Sequence, residues 1–199
     1  MATSGVSSYN LDFDEILLEA YERCGLQVRE GYDARTARRS LNLMFAEWAN
    51  RGLNLWTIEQ REVVLTANVH EYDLPADTVD ALSAVIRTNA GTSNQQDITI
   101  DRIGSAEYLH VPNKYTPSRP AQFFVQRTVP AKLFLYPAPD ATQQYIFRYY
   151  AIRRIQETGA FTNTADISFR FLPCLIAGLA YYLAIKKAPD RIQILKQFY

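Results

Sequence analysis

Few residues in the chain are of the kinds that carry out reactions, and their spacing limits what they can do. The two histidines, His70 and His110, have no Cys, Asp or Glu at metal-ligand spacing, so structural or surface roles are expected of both. No G-x-S-x-G elbow, phosphate-binding loop or dinucleotide fingerprint occurs. Asp77 and Asp80 share a turn, and Asp97 and Asp101 share a strand edge. Paired carboxylates do acid–base work only when other groups converge on them, and the sequence brings none. Arg35, Arg38 and Arg39 occupy adjacent turns of a predicted helix, where they can meet phosphates or form a solvated face balancing an acidic neighbour. The expectation is a protein that is not an enzyme, with no catalytic residue, no cofactor and no metal site.

Composition points the same way. The 21 Lys and Arg offset the 21 Asp and Glu, so bulk charge does not suggest a dedicated nucleic-acid binder or a polybasic membrane protein. The charges are nevertheless segregated. Residues 1–31 carry six acidic and two basic side chains, and residues 170–199 carry five basic and one acidic. Either the terminal helices lie side by side, or each end faces a different partner. Cys24 and Cys174 are the only cysteines, too few for a disulfide framework, and a reducing compartment is expected. The thirteen tyrosines bring large contact area with a hydrogen-bonding tip, the chemistry of interfaces. The N-terminus shows no signal peptide or targeting segment.

The elements that must position these residues are legible by period. Leu11 to Cys24 reads as a helix with Phe13, Ile16, Leu17 and Ala20 inward and Gly25 as its stop. A second helix is predicted from Ala34 to Arg51, capped by Asp33 and ended by Gly52, with Ala37, Leu41, Met44, Phe45 and Trp48 on one face. Trp48 and Trp56 flank its junction with the β-region, either locking the sub-structures together or exposed as partner anchors. After Gly52 the pattern alternates, with a change of phase between Ile58 and Val63 that suggests a bulge, and TANV reads as a hairpin turn. Strands are expected at 81–88, 96–103, 121–127, 131–136 and 143–153, joined by turns and hence antiparallel. A short helix at 104–110 precedes VPNKYTPSRP, a stiff exposed loop that carries the partner candidates Lys114, Tyr115 and Arg119.

The most apolar stretch is FLPCLIAGLAYYLAIKK, residues 171–187. Its fifteen uncharged residues span ~22 Å as a helix against ~30 Å of hydrocarbon, and Pro173 and two tyrosines interrupt it, so a buried helix rather than a membrane span is expected. Ser168 is one possible cap, and Pro173 implies either a new start with Leu172 as cap or a kink. Leu172, Leu175, Ile176, Leu179 and Leu183 form one face; Cys174, Ala177, Gly178, Tyr181 and Ile185 form the opposite one. A helix apolar on both faces must be covered on both, by a second helix of the chain or by a neighbouring subunit. The fold class is α+β: N-terminal helices (1–52) and C-terminal helices (160–199) form one helical bundle, with an antiparallel β-unit (53–159) inserted.

Taken together, SLNLMFAEWANRGLNLWTIEQ, LTANVHEYDLPADTVD, AEYLHVPNKYTPSRPAQFFV, LFLYPAPD and FRFLPCLIAGLAYYLAIKK resemble the head-to-tail adaptor, or head-completion and gatekeeper, proteins of short-tailed bacteriophages over roughly residues 10–199. The resemblance implies a structural virion protein of the neck, assembled in the host cytoplasm. It implies a homo-oligomeric ring, usually of twelve copies, joining the portal protein to the tail nozzle protein. DNA passes non-specifically through its channel at genome ejection, and no membrane is involved. Interface candidates then include Arg35, Arg38, Arg39, Trp48, Trp56, the proline-loop residues, Cys174, Gly178, Tyr181, Ile185, Lys187, Arg191 and Tyr199. Gly178→Phe is expected to impair ring assembly more than monomer secondary structure. Family members extend a C-terminal arm along the portal; here the sequence stops at RIQILKQFY in mid-pattern, and a longer native product is the expectation. The rival readings are another neck or nozzle component, a small glycan-binding or hydrolytic β-domain, and a monomeric DNA-binding protein.

Overall fold

A computed structural model describes residue 5 and residues 11–29, 31–157, 159–160 and 162–199. The chain divides into a helical unit, residues 1–56 with 155–199, and a β-unit, residues 57–154. Residues 53–56 and the stretch from Ile155 therefore count with the helices rather than with the β-unit.

In the helical unit, α1 (Phe13–Arg23) starts with a reciprocal cap. The Asp12 carboxylate accepts from the Glu15 N–H at 2.9 Å, and the Glu15 carboxylate accepts from the Asp12 N–H at 3.2 Å. α2 (Gly31–Asn50) starts before Asp33, so that residue lies inside the first turn and is not the cap. Both helices end in a left-handed glycine. Leu26 N–H reaches the Tyr21 carbonyl across Gly25, and Leu53 N–H reaches that of Trp48 across Gly52. Phe13, Ile16, Leu17 and Ala20 of α1 are buried, as are Ala37, Leu41, Met44, Phe45 and Trp48 of α2.

Near the end of the chain, a 3₁₀ turn over Phe169–Phe171, with Ser168 at its N-cap, leads into α4 (Leu172–Lys187). α4 is a fresh helix with Pro173 in its first turn, where a missing N–H is tolerated. Its cap is Phe171, with Leu172 the first helical residue. A second 3₁₀ turn, Pro189–Arg191, reverses the chain into α5 (Ile192–Phe198). Among the described residues, 169–187 is the one helical stretch long and apolar enough to cross a membrane. Leu175, Leu179, Ala180, Leu183 and Ala184 within it are completely buried in the core. Each large aliphatic side chain so buried contributes ~1.5–3 kcal/mol.

The β-unit is a pair of four-stranded sheets. β1 (Ile58–Val64), β8 (Ile146–Arg153), β3 (Thr78–Thr88) and β4 (Gln96–Thr99) form one in that order. β2 (Glu71–Asp73), β7 (Lys132–Tyr136), β6 (Gln122–Gln126) and β5 (Asp101–Arg102) form the other. Phe147, Tyr149 and Ile86 of the first sheet share one core with Phe123, Leu133 and Leu135 of the second, and the Phe123 and Phe147 rings meet edge-on at 5.5 Å. The antiparallel expectation fails where β5 pairs parallel to β6 over two residues, and again at the parallel bridge between Pro117 and Ala138. TANV is a turn, with Asn68 at φ 64° and Val69 N–H on the Thr66 carbonyl, but not a hairpin, because β1 and β2 enter different sheets. β1 runs without a bulge and leaves Ile58 exposed. The register shifts lie on β3 instead, at Thr78/Asp80 and Ala81/Ala84. α3 (Ser105–His110) follows β5.

Candidate functional site

The second face of α4 is where sequence and structure differ most instructively. Trp48, Gly178, Tyr181 and Tyr199, all partner candidates from the sequence, meet one another inside the subunit. The buried Trp48 indole N–H donates to the Tyr199 hydroxyl at 2.9 Å. The Tyr199 ring stacks on Tyr181 with centroids 5.7 Å apart. A Cβ on Gly178 would overlap the Met44 sulfur and sit 2.7 Å from the Tyr199 ring, so only glycine admits this approach. Tyr182 donates to Glu47, which also holds Arg51; burial, then the Glu47 contact, pushes the Tyr182 phenol up to about 12. α2 and the segment ending at Tyr199 thus cover the Gly178–Tyr181 part of the stripe. These four residues pack against one another within the subunit.

Lys187 also has partners within the subunit. It pairs with Asp33 and lies over the Tyr21 ring, joining the end of α4 to the start of α2. The Lys187 contact, against burial, holds the Asp33 carboxyl below its ordinary pKa. Burial opposes the charge on Lys187, but Asp33 and Tyr21 outweigh it and raise its pKa. Trp56 packs on Phe171 at 4.7 Å and donates to the Asp166 carbonyl at 2.9 Å, so both tryptophans have partners within the helical unit.

Other candidates stay at the surface. Cys174 is exposed, and Ile185 is half-exposed. Arg191 lies over Gly25 and donates to the Arg23 carbonyl at 3.2 Å. Arg38 donates to the Gly159 carbonyl at 2.7 Å, whereas exposed Arg35 and Arg39 make no hydrogen bond or ion pair with the described residues. The sequence reading missed Ile194 and Phe198, exposed at 59% and 71% on the outer side of α5. Their i, i+4 spacing was the available signal.

In the β-unit, Phe124 and Phe134 point to the outer side of the second sheet, and Tyr108 of α3 stacks on Phe124 at 5.7 Å and meets Phe134 at a tilt at 5.3 Å. Lys114 sits 5.3 Å over the Tyr108 ring and donates to the Val111 carbonyl at 3.1 Å. Tyr115, 68% exposed, meets the His70 ring edge-on at 4.7 Å, and Arg119 is exposed. The loop is fastened by Ser118 N–H on the Ala138 carbonyl and Ala138 N–H on that of Thr116. His70 immediately precedes β2 rather than lying in a strand.

Three of the four aspartates with acid–base potential are held by arginines. Asp77 takes a two-point contact from Arg61 at 2.8 and 2.6 Å, and Asp97 takes one from Arg87 at 2.7 and 2.8 Å. The buried Asp80 accepts from Arg102 at 2.8 Å and from Arg127 at 2.6 Å. Arginine lowers the pKa of Asp77 and of Asp97, keeping both ionised. Among the described residues no three His, Cys, Asp or Glu gather as a metal would require.

The chain is α+β, many of its ionic groups brace its own elements, and several large apolar and aromatic side chains remain exposed. The SU10 adaptor protein family matches residues 10–199, and the chain belongs to it. It is a phage structural adaptor protein and a component of the virion. No curated protein matches the chain.

Proposed function

We propose that the protein is a ring-forming head-to-tail adaptor that joins the portal to the tail nozzle and lines the DNA channel between them. The observation that carries this reading is the apolar surface left over after the helical unit has packed. With the Gly178–Tyr181 part of α4 covered, Ile185, Ile194 and Phe198 still face outward. Membership of the adaptor family and the exposed aromatic loop of the β-unit support the same reading. In a ring, each subunit meets two neighbours through different patches, and twelve copies close the circle. The helical unit docks on the portal and the β-unit faces the nozzle. Balanced charge suits a channel wall, because dense phosphate binding would hold DNA that must slide past. The role requires no catalysis and no cofactor.

The test is to mix purified subunit with portal and image the product by electron cryo-microscopy. A ring seated on the portal, helical units against it, is expected. Subunits bound singly and out of symmetry, or none bound at all, would refute the proposal.

A further inference from the structure

The outer sides of α1 and α2 carry charges of opposite sign that find no partner within the subunit. On α1, Asp14, Leu18 and Glu22 follow at i, i+4 and i+8 and share one stripe. All three are exposed, Leu18 at 51%, and neither carboxylate makes a side-chain hydrogen bond or ion pair with the described residues. On α2, Arg35, Arg39 and Leu43 follow at the same spacing, and Tyr32 lies on the same side. These four are exposed too, Leu43 at 56%, and both guanidinium groups are unpaired among the described residues. Neighbouring charges differ, since Glu19 pairs with Arg23, Glu47 with Arg51, and Arg38 donates to the Gly159 carbonyl. The two stripes also look in different directions. α2 meets α4 at Gly178, Tyr182 and Lys186, through Met44, Glu47 and Ser40. α1 meets it at Ala180, through Cys24, and borders Leu172, Pro173 and Ile176. Those two sets of α4 residues lie roughly 140° apart round the helix.

We propose that the α2 stripe of one copy docks on the α1 stripe of the next. Four residues of helix rise ~6 Å on both stripes, so the two patterns keep step. With Leu43 against Leu18, Arg39 comes level with Glu22 if the helices run antiparallel and with Asp14 if they run parallel. Free charges of opposite sign, each beside a half-exposed leucine, favour another copy of this chain as the occupant. Duplex DNA would satisfy the arginines but leave Leu43 and Tyr32 uncovered, and it would meet nothing on the acidic stripe. The contact joins two different patches, so repeating it generates a closed ring or an open filament. This inference rests on the ring reading and names the surfaces by which neighbours meet.

Charge reversal tests it by native mass spectrometry of the subunit, alone and titrated onto the portal. One chain carries Arg35→Glu with Arg39→Glu, and a second carries Asp14→Arg with Glu22→Arg. Each is expected to raise the midpoint concentration of assembly about tenfold, and Leu43→Asp at least as much. All five positions are exposed, and circular dichroism establishes that each variant is folded. An equimolar mixture of the two reversed chains is expected to assemble again, with the two alternating, because every contact then joins opposite charges. Wild-type rings with unchanged assembly of the variants, or an impairment that the mixture does not relieve, would overturn the helix contact and leave the adaptor reading standing. Arginine variants that assemble normally but lose retention of duplex DNA would overturn it in favour of a phosphate-facing stripe. No assembly of the wild type, even on the portal, would overturn both readings.

Discussion

Tyr199→Phe is the most informative single change to the helical unit. It removes one oxygen, the acceptor 2.9 Å from the Trp48 indole nitrogen, and leaves the ring in place. Trp48 is 2% exposed, so its N–H has no water to turn to, and an unsatisfied buried donor costs about 1–3 kcal/mol. Tyr199→Ala also removes the stack on Tyr181, worth a further ~0.5–1.5 kcal/mol, and uncovers Gly178. We therefore expect losses of about 2 kcal/mol for Phe and about 3 kcal/mol for Ala. Both tryptophans lie in the helical unit, so urea unfolding followed by tryptophan fluorescence reports that unit without the β-unit. A Tyr199→Phe midpoint indistinguishable from wild type, with unchanged emission, would show that the hydrogen bond does not close the second face of α4.

Gly178→Phe is expected to destabilise the folded helical unit itself by at least ~1–3 kcal/mol through overpacking against Met44 and Tyr199; normal stability with lost assembly would restore a subunit boundary there. The Asp33–Lys187 pair is expected to fail in acid. Because the folded-state pKa of Asp33 is lowered, its contribution is present above the unfolded value of ~3.9 and vanishes as pH falls through the lower folded value. Asp33→Asn should flatten that limb of a stability-against-pH curve. Asp80→Asn should cost the β-unit about 2 kcal/mol by stranding Arg102, against less than ~1 kcal/mol for Arg127→Ala, whose side chain is 68% exposed; circular dichroism of thermal unfolding ranks the two. Tyr182 should ionise with a pKa of about 12 on spectrophotometric titration, and Tyr182→Phe should delete that step.

Local pattern carried much of the fold. The faces of α1 and α2 followed from 3.6-residue periodicity, because each helix packs one stripe inward. Strand positions followed from alternation and turn residues, but alternation specifies a face and not a partner. That is why β1 and β2 read as a hairpin although they enter separate sheets. The fold-back of α5 was not legible. IQILKQF is too short to hold a helix by propensity, and Leu195 and Tyr199 order it through contacts with residues far away in sequence. Asp33 misled for a related reason. It has the chemistry of a cap, but its partner Lys187 is 154 residues away. The two apolar faces of α4 were legible from its period; that Tyr199 packs over Gly178 and Tyr181 was not.

The central claim is that copies of this chain associate in a circle through surface that one copy leaves bare. Light scattering coupled to size exclusion, on the protein alone and with portal, measures it most directly. Twelve copies of 22.7 kDa predict a discrete species with an added mass of about 270 kDa. A single 22.7 kDa subunit under both conditions, with subunit in excess over portal, would contradict the account.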